Sequence, residues 1–143
     1  MTDDVATRRF GMSCSEVAAI DDWLETVGAR WGASERTIFS ARLCVAELAA
    51  NALEHGIPRT SADHIVVTVR RLCAGVAVEF LDSRAPFDPT AAPPPARAQS
   101  IESADPTGRG LTLLHAYARD LTYSHDGTYN RVMLTIQPDV PRS

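Results

Sequence analysis

This sequence lacks most of the features that settle a protein's class at a glance. Its beginning, MTDDVATRRFGM, has no apolar run of the kind a secretory signal carries, so export is not expected. No apolar stretch approaches the ~18 residues needed to span a bilayer, so membrane insertion is not expected and a soluble cytoplasmic protein is the default. Cysteine is scarce: Cys14, Cys44 and Cys73 are far apart and odd in number. They offer neither metal-ligand spacing nor a disulfide framework, and ordinary buried thiols are expected. Positive charge is not in surplus, since the net charge is -4. No basic face follows, and nucleic acid is not an expected partner. There is no internal repeat. Thr107-Gly108-Arg109-Gly110-Leu111 is not a P-loop, because no Gly-Lys-Ser/Thr follows. It is not a dinucleotide fingerprint either, because no strand feeds directly into it and no third glycine follows.

What is present suits one domain with one core, spanning 1-143: 143 residues, 45% of them hydrophobic. In chain order, Val5 to Phe10 has weak strand character and reads as an edge strand. Ser13 and Glu16 form a capping-box pattern for a helix from about Ser15 to Trp31, which Gly32 ends. Ser34 caps a second helix from Glu35 to about His55, with Gly56 fitting its C′ position and Pro58 blocking continuation. His64 to Arg71 and Val76 to Leu81 alternate as strands joined by a short link containing Gly75. Pro89 to Thr107 is rich in Ala and Pro without periodicity; a loop of that length reads as a lid, at about 88-107. A third helix to about Arg119 and two strands follow, Leu121 to His125 and Tyr129 to Ile136, turned at Asp126-Gly127. The order predicts an α+β two-layer sandwich, a mixed, mostly antiparallel sheet with helices on one face.

Chemistry gathers at the joints. In the second helix, Glu47, Asn51 and His55 fall four apart, which stacks them on one face. The opposite face reads Ile38, Ala41, Val45, Leu48, Ala49 and Ala52. Asn51 presents a neutral oxygen suited to Mg²⁺ that keeps waters and phosphates as its other ligands. Glu47 is placed to accept a proton from a hydroxyl or to orient a water. Asp82, at a strand end, can bind a ligand amine or simply close an Asx turn. Gly108 and Gly110, before a helix, allow backbone N–H groups to approach an anion. His55 reads most simply as a helix-end histidine near the last carbonyls.

The ordered set E-x-x-x-N-x-x-x-H, D-x-x-x-P-F-D-P, a lid, G-R-G-L and a closing hairpin with Asp126, Gly127 and Asn130 resembles the GHKL, or histidine kinase-like, ATP-binding superfamily. More narrowly it is similar to the free-standing anti-sigma-factor serine kinases (RsbW-like), over nearly the whole chain. The resemblance implies ATP and Mg²⁺ as cofactors. It implies Mg²⁺ at Asn51, a catalytic base at Glu47 and the adenine amino group on Asp82. Phe87 and the lid would border the nucleotide, and Thr107, Gly108, Arg109, Gly110 and Leu111 would surround its phosphates. It also implies a sigma factor or an anti-anti-sigma protein as partner, phosphorylation of a serine on the latter, and a possible homodimer through the edge strand. One position departs: the family usually has Gly two residues after the aspartate, and this chain has Arg84. Arg84 either crowds the adenine or turns outward. The alternative function is therefore a non-catalytic anti-sigma binding module with a weakened nucleotide site. A histidine-kinase ATP-binding part fits less well, because no helical hairpin with a phosphoacceptor histidine precedes the domain.

Overall fold

The structure is a computed structural model that describes residues 4–90 and 114–138. Its elements are β1 (Val5–Gly11), α1 (Cys14–Trp31), α2 (Glu35–His55), β2 (His64–Arg71), β3 (Val76–Asp82), β4 (Arg119–His125) and β5 (Asn130–Ile136). The strands form one sheet in the order β1-β2-β3-β5-β4. Every described pairing is antiparallel, so the parallel component allowed for in a mixed sheet is absent among the described residues. β1 lies at one edge of the sheet, as its weak pattern predicted, and β4 at the other.

Both long helices start and stop where local chemistry dictates. Ser13 Oγ accepts from Glu16 N, while Glu16 Oε1 reaches back to the Gly11 N–H, a capping box drawn out by two residues. Gly32 then closes α1 with φ 65, the left-handed conformation glycine adopts without a Cβ penalty. Ser34 Oγ caps α2 by accepting from Thr37 N. α1 and α2 pack at Gly28, where a Cβ would fall 2.2 Å from Ile38 Cγ1. The two helices are also clasped by Arg42, which donates from Nε and Nη2 to both carboxylate oxygens of Asp21.

Alternation decides which strand residues meet the helices. Ile65, Val67 and Val69 of β2, Val76, Val78 and Phe80 of β3, and Val132, Leu134 and Ile136 of β5 are all buried. They form one core with Ile20, Leu24, Val27, Val45 and Leu48. Leu114, the first described residue after the gap, is fully buried in it. Residues 114–117 are helical, and β4 starts at Arg119, two residues earlier than its alternation predicted. An irregularity between Arg119 and Thr122, with Asp120 at φ 54, hides that start from any period-2 pattern. The expectation of three buried thiols holds for Cys44 alone. Cys14 is the first residue of α1 and Cys73 lies in the β2–β3 turn, and both are exposed because neither position faces the core. Among the described residues no helix is long and apolar enough to cross a membrane.

Candidate functional site

The site is built at one end of the sheet, where β3 and β4 finish and β2 and β5 begin. Register pairs Asp82 with Ile65 on one side and with Asn130 on the other. Because Asp82 continues the Val76, Val78, Phe80 alternation, it faces the helix layer; Asn130 does the same ahead of Val132, Leu134 and Ile136. A carboxylate and a carboxamide thus extend the apolar face of the sheet as its last row, at 9% and 2% exposure.

Asn130 is the hub of this row. Its Nδ2 donates to Asp82 Oδ1 at 3.0 Å, Arg84 O at 3.1 Å and Ala85 O at 2.9 Å. Its Oδ1 accepts from Phe87 N at 2.9 Å and from the Tyr123 hydroxyl at 2.6 Å. The Arg84 N–H also donates to Asp82 Oδ1, at 3.1 Å. The Asx turn considered for Asp82 is therefore real. Both bonds that Asp82 accepts from described residues end on Oδ1. Burial pushes the Asp82 carboxyl above its ordinary range, against the pull of Asn130 and the Arg84 N–H.

Beside it, Asp63 ties the start of β2 to the turn after β3. Its Oδ2 accepts from Arg59 N and Thr60 N, and its Oδ1 from Ser83 Oγ. Ser83 Oγ in turn accepts from His64 N. Burial works to raise the Asp63 carboxyl, but these bonds and the nearby Arg84 charge together hold it low.

The second wall is the C-terminal half of α2. Asn51 is 3% exposed, and its side-chain Nδ2 is buried with no hydrogen-bond partner among the described residues. Buried amides are almost always paired, so this one has capacity that the described residues do not use. Rotation of the amide exchanges its nitrogen and oxygen, so the group can present either to a ligand. With the amide turned so that its oxygen takes this unpartnered position, it offers the hard, neutral donor that Mg²⁺ takes from a protein when phosphates and waters complete its shell. The residues present thus fit a Mg²⁺-nucleotide. Glu47, one turn earlier, is half-buried; burial first, and the Glu54 charge second, raise its carboxyl above the usual glutamate value. That shift makes it a better proton acceptor than a solvated glutamate. At the helix end the His55 ring stacks on Phe87, with centroids 6.2 Å apart.

Arg84 joins the two walls. Its Nη1 donates to Ala52 O at 2.6 Å, Leu53 O at 3.1 Å and Gly56 O at 3.2 Å. The side chain that replaces the family's glycine thus turns onto the end of α2, one residue from Asn51. Gly56 does follow α2, but with φ -68 it is extended and not left-handed. It is glycine for space: a Cβ there would lie 2.4 Å from Ala52 O and 2.8 Å from Arg84 Cδ.

Asp82 and Phe87 therefore lie where the end of the sheet meets the end of α2, with Asn51 next to the Arg84-bound Ala52 and Glu47 one turn before it on the same helix. Thr107, Gly108, Arg109, Gly110 and Leu111 lie outside the described residues, as does most of the expected lid. The hub role of Asn130 and the parts of Asp63 and Ser83 were not read from the sequence. Extending the period-2 pattern of β3 and β5 by one step would have flagged Asp82 and Asn130 as an inward polar pair.

Residues 10–136 match the histidine kinase-like ATPase domain family. The chain is 32% identical over 113 residues to the serine/threonine-protein kinase BtrW of Bordetella bronchiseptica, covering 79% of this chain and 80% of that protein. It is also similar to the crystal structure of the RsbU and RsbW domains of Rv1364c from Mycobacterium tuberculosis, with a TM-score of 0.65 over 97% of this chain. This chain spans 34% of that one at 16% identity, so the likeness is one of fold.

Proposed function

Because this chain belongs to the histidine kinase-like ATPase domain family, we propose that it is a Mg²⁺/ATP-dependent serine/threonine protein kinase of the anti-sigma type. Its substrate is a serine or threonine of an anti-anti-sigma partner, and it also sequesters a sigma factor. The kinase name of the Bordetella relative supports the reaction class. The observation that carries the reading is the buried Asn51 amide, whose Nδ2 has no partner among the described residues, on the helix to which the Asp82 turn is docked.

In this reading Asn51 holds Mg²⁺ and Asp82 Oδ2 accepts from the adenine amino group. Phe87 would border the base, and Thr107 to Leu111, which lie outside the described residues, would surround the phosphates. Bound Mg²⁺/ATP supplies the phosphoryl group and the charge neutralisation that its transfer needs. The protein's share is positioning: Asp82 is held by two donors before any ligand arrives, so little reorganisation is left to binding. The Glu47 carboxylate takes the proton of the attacking hydroxyl. Transfer of labelled phosphate from ATP to the partner tests this. Glu47→Ala is expected to slow transfer by ~10²–10⁴-fold while Mg²⁺/ATP still binds. A variant as fast as wild type overturns Glu47 as the base.

Arg84 in the place of a glycine favours a second reading, a non-catalytic protein-binding anti-sigma module with a weakened nucleotide site. Calorimetry separates the two: such a module gives no binding heat and no thermal shift at millimolar Mg²⁺/ATP.

A further inference from the structure

We propose that Arg84 is a positioning residue, docking the turn after Asp82 onto the end of α2 so that the Asp82 and Asn51 walls of the nucleotide site are held together before ligand binds. The inference rests on the reading of that site as a nucleotide site.

Arg84 touches three elements through different atoms. Its side chain binds the carbonyls of Ala52, Leu53 and Gly56 at the end of α2. Its N–H binds Asp82 Oδ1, at the end of β3. Its carbonyl accepts from Asn130 Nδ2, at the start of β5. Ala52 O already accepts from the capping Gly56 N–H, but the carbonyls after it run out of helical donors, and a cation there also meets the negative end of the helix dipole. The guanidinium satisfies both demands. The next residue adds a backbone tie, Ala85 N to Ile57 O at 3.0 Å.

A glycine in this place would keep the backbone bonds and lose the side-chain dock. The turn would then be held beside α2 only by the Ala85 N–H to Ile57 O bond and the Phe87–His55 stack, and would have to be ordered further against α2 when ligand binds. Preorganisation removes that cost from binding. Gly56 makes room for this arrangement, since a Cβ there would lie 2.4 Å from Ala52 O and 2.8 Å from Arg84 Cδ.

The test is calorimetric titration of the full chain with Mg²⁺/ATP, at a temperature where circular dichroism shows every variant folded. Wild type is compared with Arg84→Ala, Arg84→Lys, Gly56→Ala and the Arg84→Ala/Gly56→Ala double variant. Arg84→Ala is expected to weaken binding ~10-fold, a loss equivalent to about 1.4 kcal/mol. Arg84→Lys is expected to recover to within ~3-fold of wild type, because an ammonium also donates to several carbonyls. Gly56→Ala, whose Cβ would meet both Arg84 Cδ and Ala52 O, is expected to weaken binding on its own, and the part of its effect that runs through Arg84 is expected to vanish in the double variant. A residue that served only helix stability would lower the melting temperature and leave the affinity of the folded protein unchanged, and that result overturns the proposal. Tighter binding by Arg84→Ala also overturns it, and shows a side chain that plugs the site. Absence of binding by wild type removes the nucleotide reading itself, and the proposal with it; undiminished binding by Arg84→Ala beside binding by wild type removes the proposal alone.

Discussion

Asp82 carries its charge at a cost to the fold. Burial raises its carboxyl above the ordinary 3.8, so the folded state favours the protonated form. Its contribution to stability is therefore full below the unfolded value and is lost as pH rises through the folded one. At neutral pH an amide should be easier to bury there. Asp82→Asn is expected to melt at or above the wild-type temperature at pH 7, with the advantage shrinking toward pH 4; differential scanning calorimetry measures both. Asn130 Nδ2 and the Arg84 N–H will hold the new amide by its oxygen, which leaves its NH₂ facing the ligand amine. Donor then opposes donor, and Mg²⁺/ATP affinity is expected to fall by at least ~10-fold, consistent with a lost bond to a charged group. The cysteines give a second residue-scale test. Burial, and then the Glu47 charge, push the Cys44 thiol up to about 12, whereas Cys14 and Cys73 are exposed. A thiol reagent is expected to titrate two groups in the native protein and three in denaturant.

Between elements, the contact between α1 and α2 hangs on one missing Cβ. Gly28 costs α1 helix propensity, yet an alanine there would drive its methyl into Ile38, 2.2 Å from Cγ1 and 2.5 Å from Cδ1. Gly28→Ala is expected to lower stability by ~1–3 kcal/mol, the usual range for overpacking. With Ile38→Ala present, the same change is expected to turn neutral or stabilising, by up to ~1 kcal/mol, as its helix propensity emerges. Urea unfolding of the four proteins reads the sign directly.

For the whole molecule, a site formed between the end of α2 and the end of the sheet should couple ligand binding to global stability. Ligand that binds only the folded chain adds about 2.7 kcal/mol at 100 times its Kd. For a chain of this size that corresponds to a rise in melting temperature of ~5–10 °C, growing with the logarithm of Mg²⁺/ATP concentration. Asn51→Ala is expected to flatten that dependence. Thermal scans over a nucleotide series measure it.

Elements and their ends were legible in the sequence because local rules set them. Ser13, Ser34 and Gly32 fixed the helix boundaries, and alternation fixed β2, β3 and β5 within a residue. Glu47 and Asn51 could be placed on one helix face from their spacing alone, and the ordered motifs identified the family. Tertiary structure alone decided what those residues meet. Asn130 became a hub through its pairing with Asp82, 48 residues away, which no local pattern encodes. The same holds for Arg84, which read from the sequence as a glycine lost and is, in space, the cap of a helix that ended 29 residues earlier at His55. Periodicity reports which way a side chain points; only the folded chain brings it a partner.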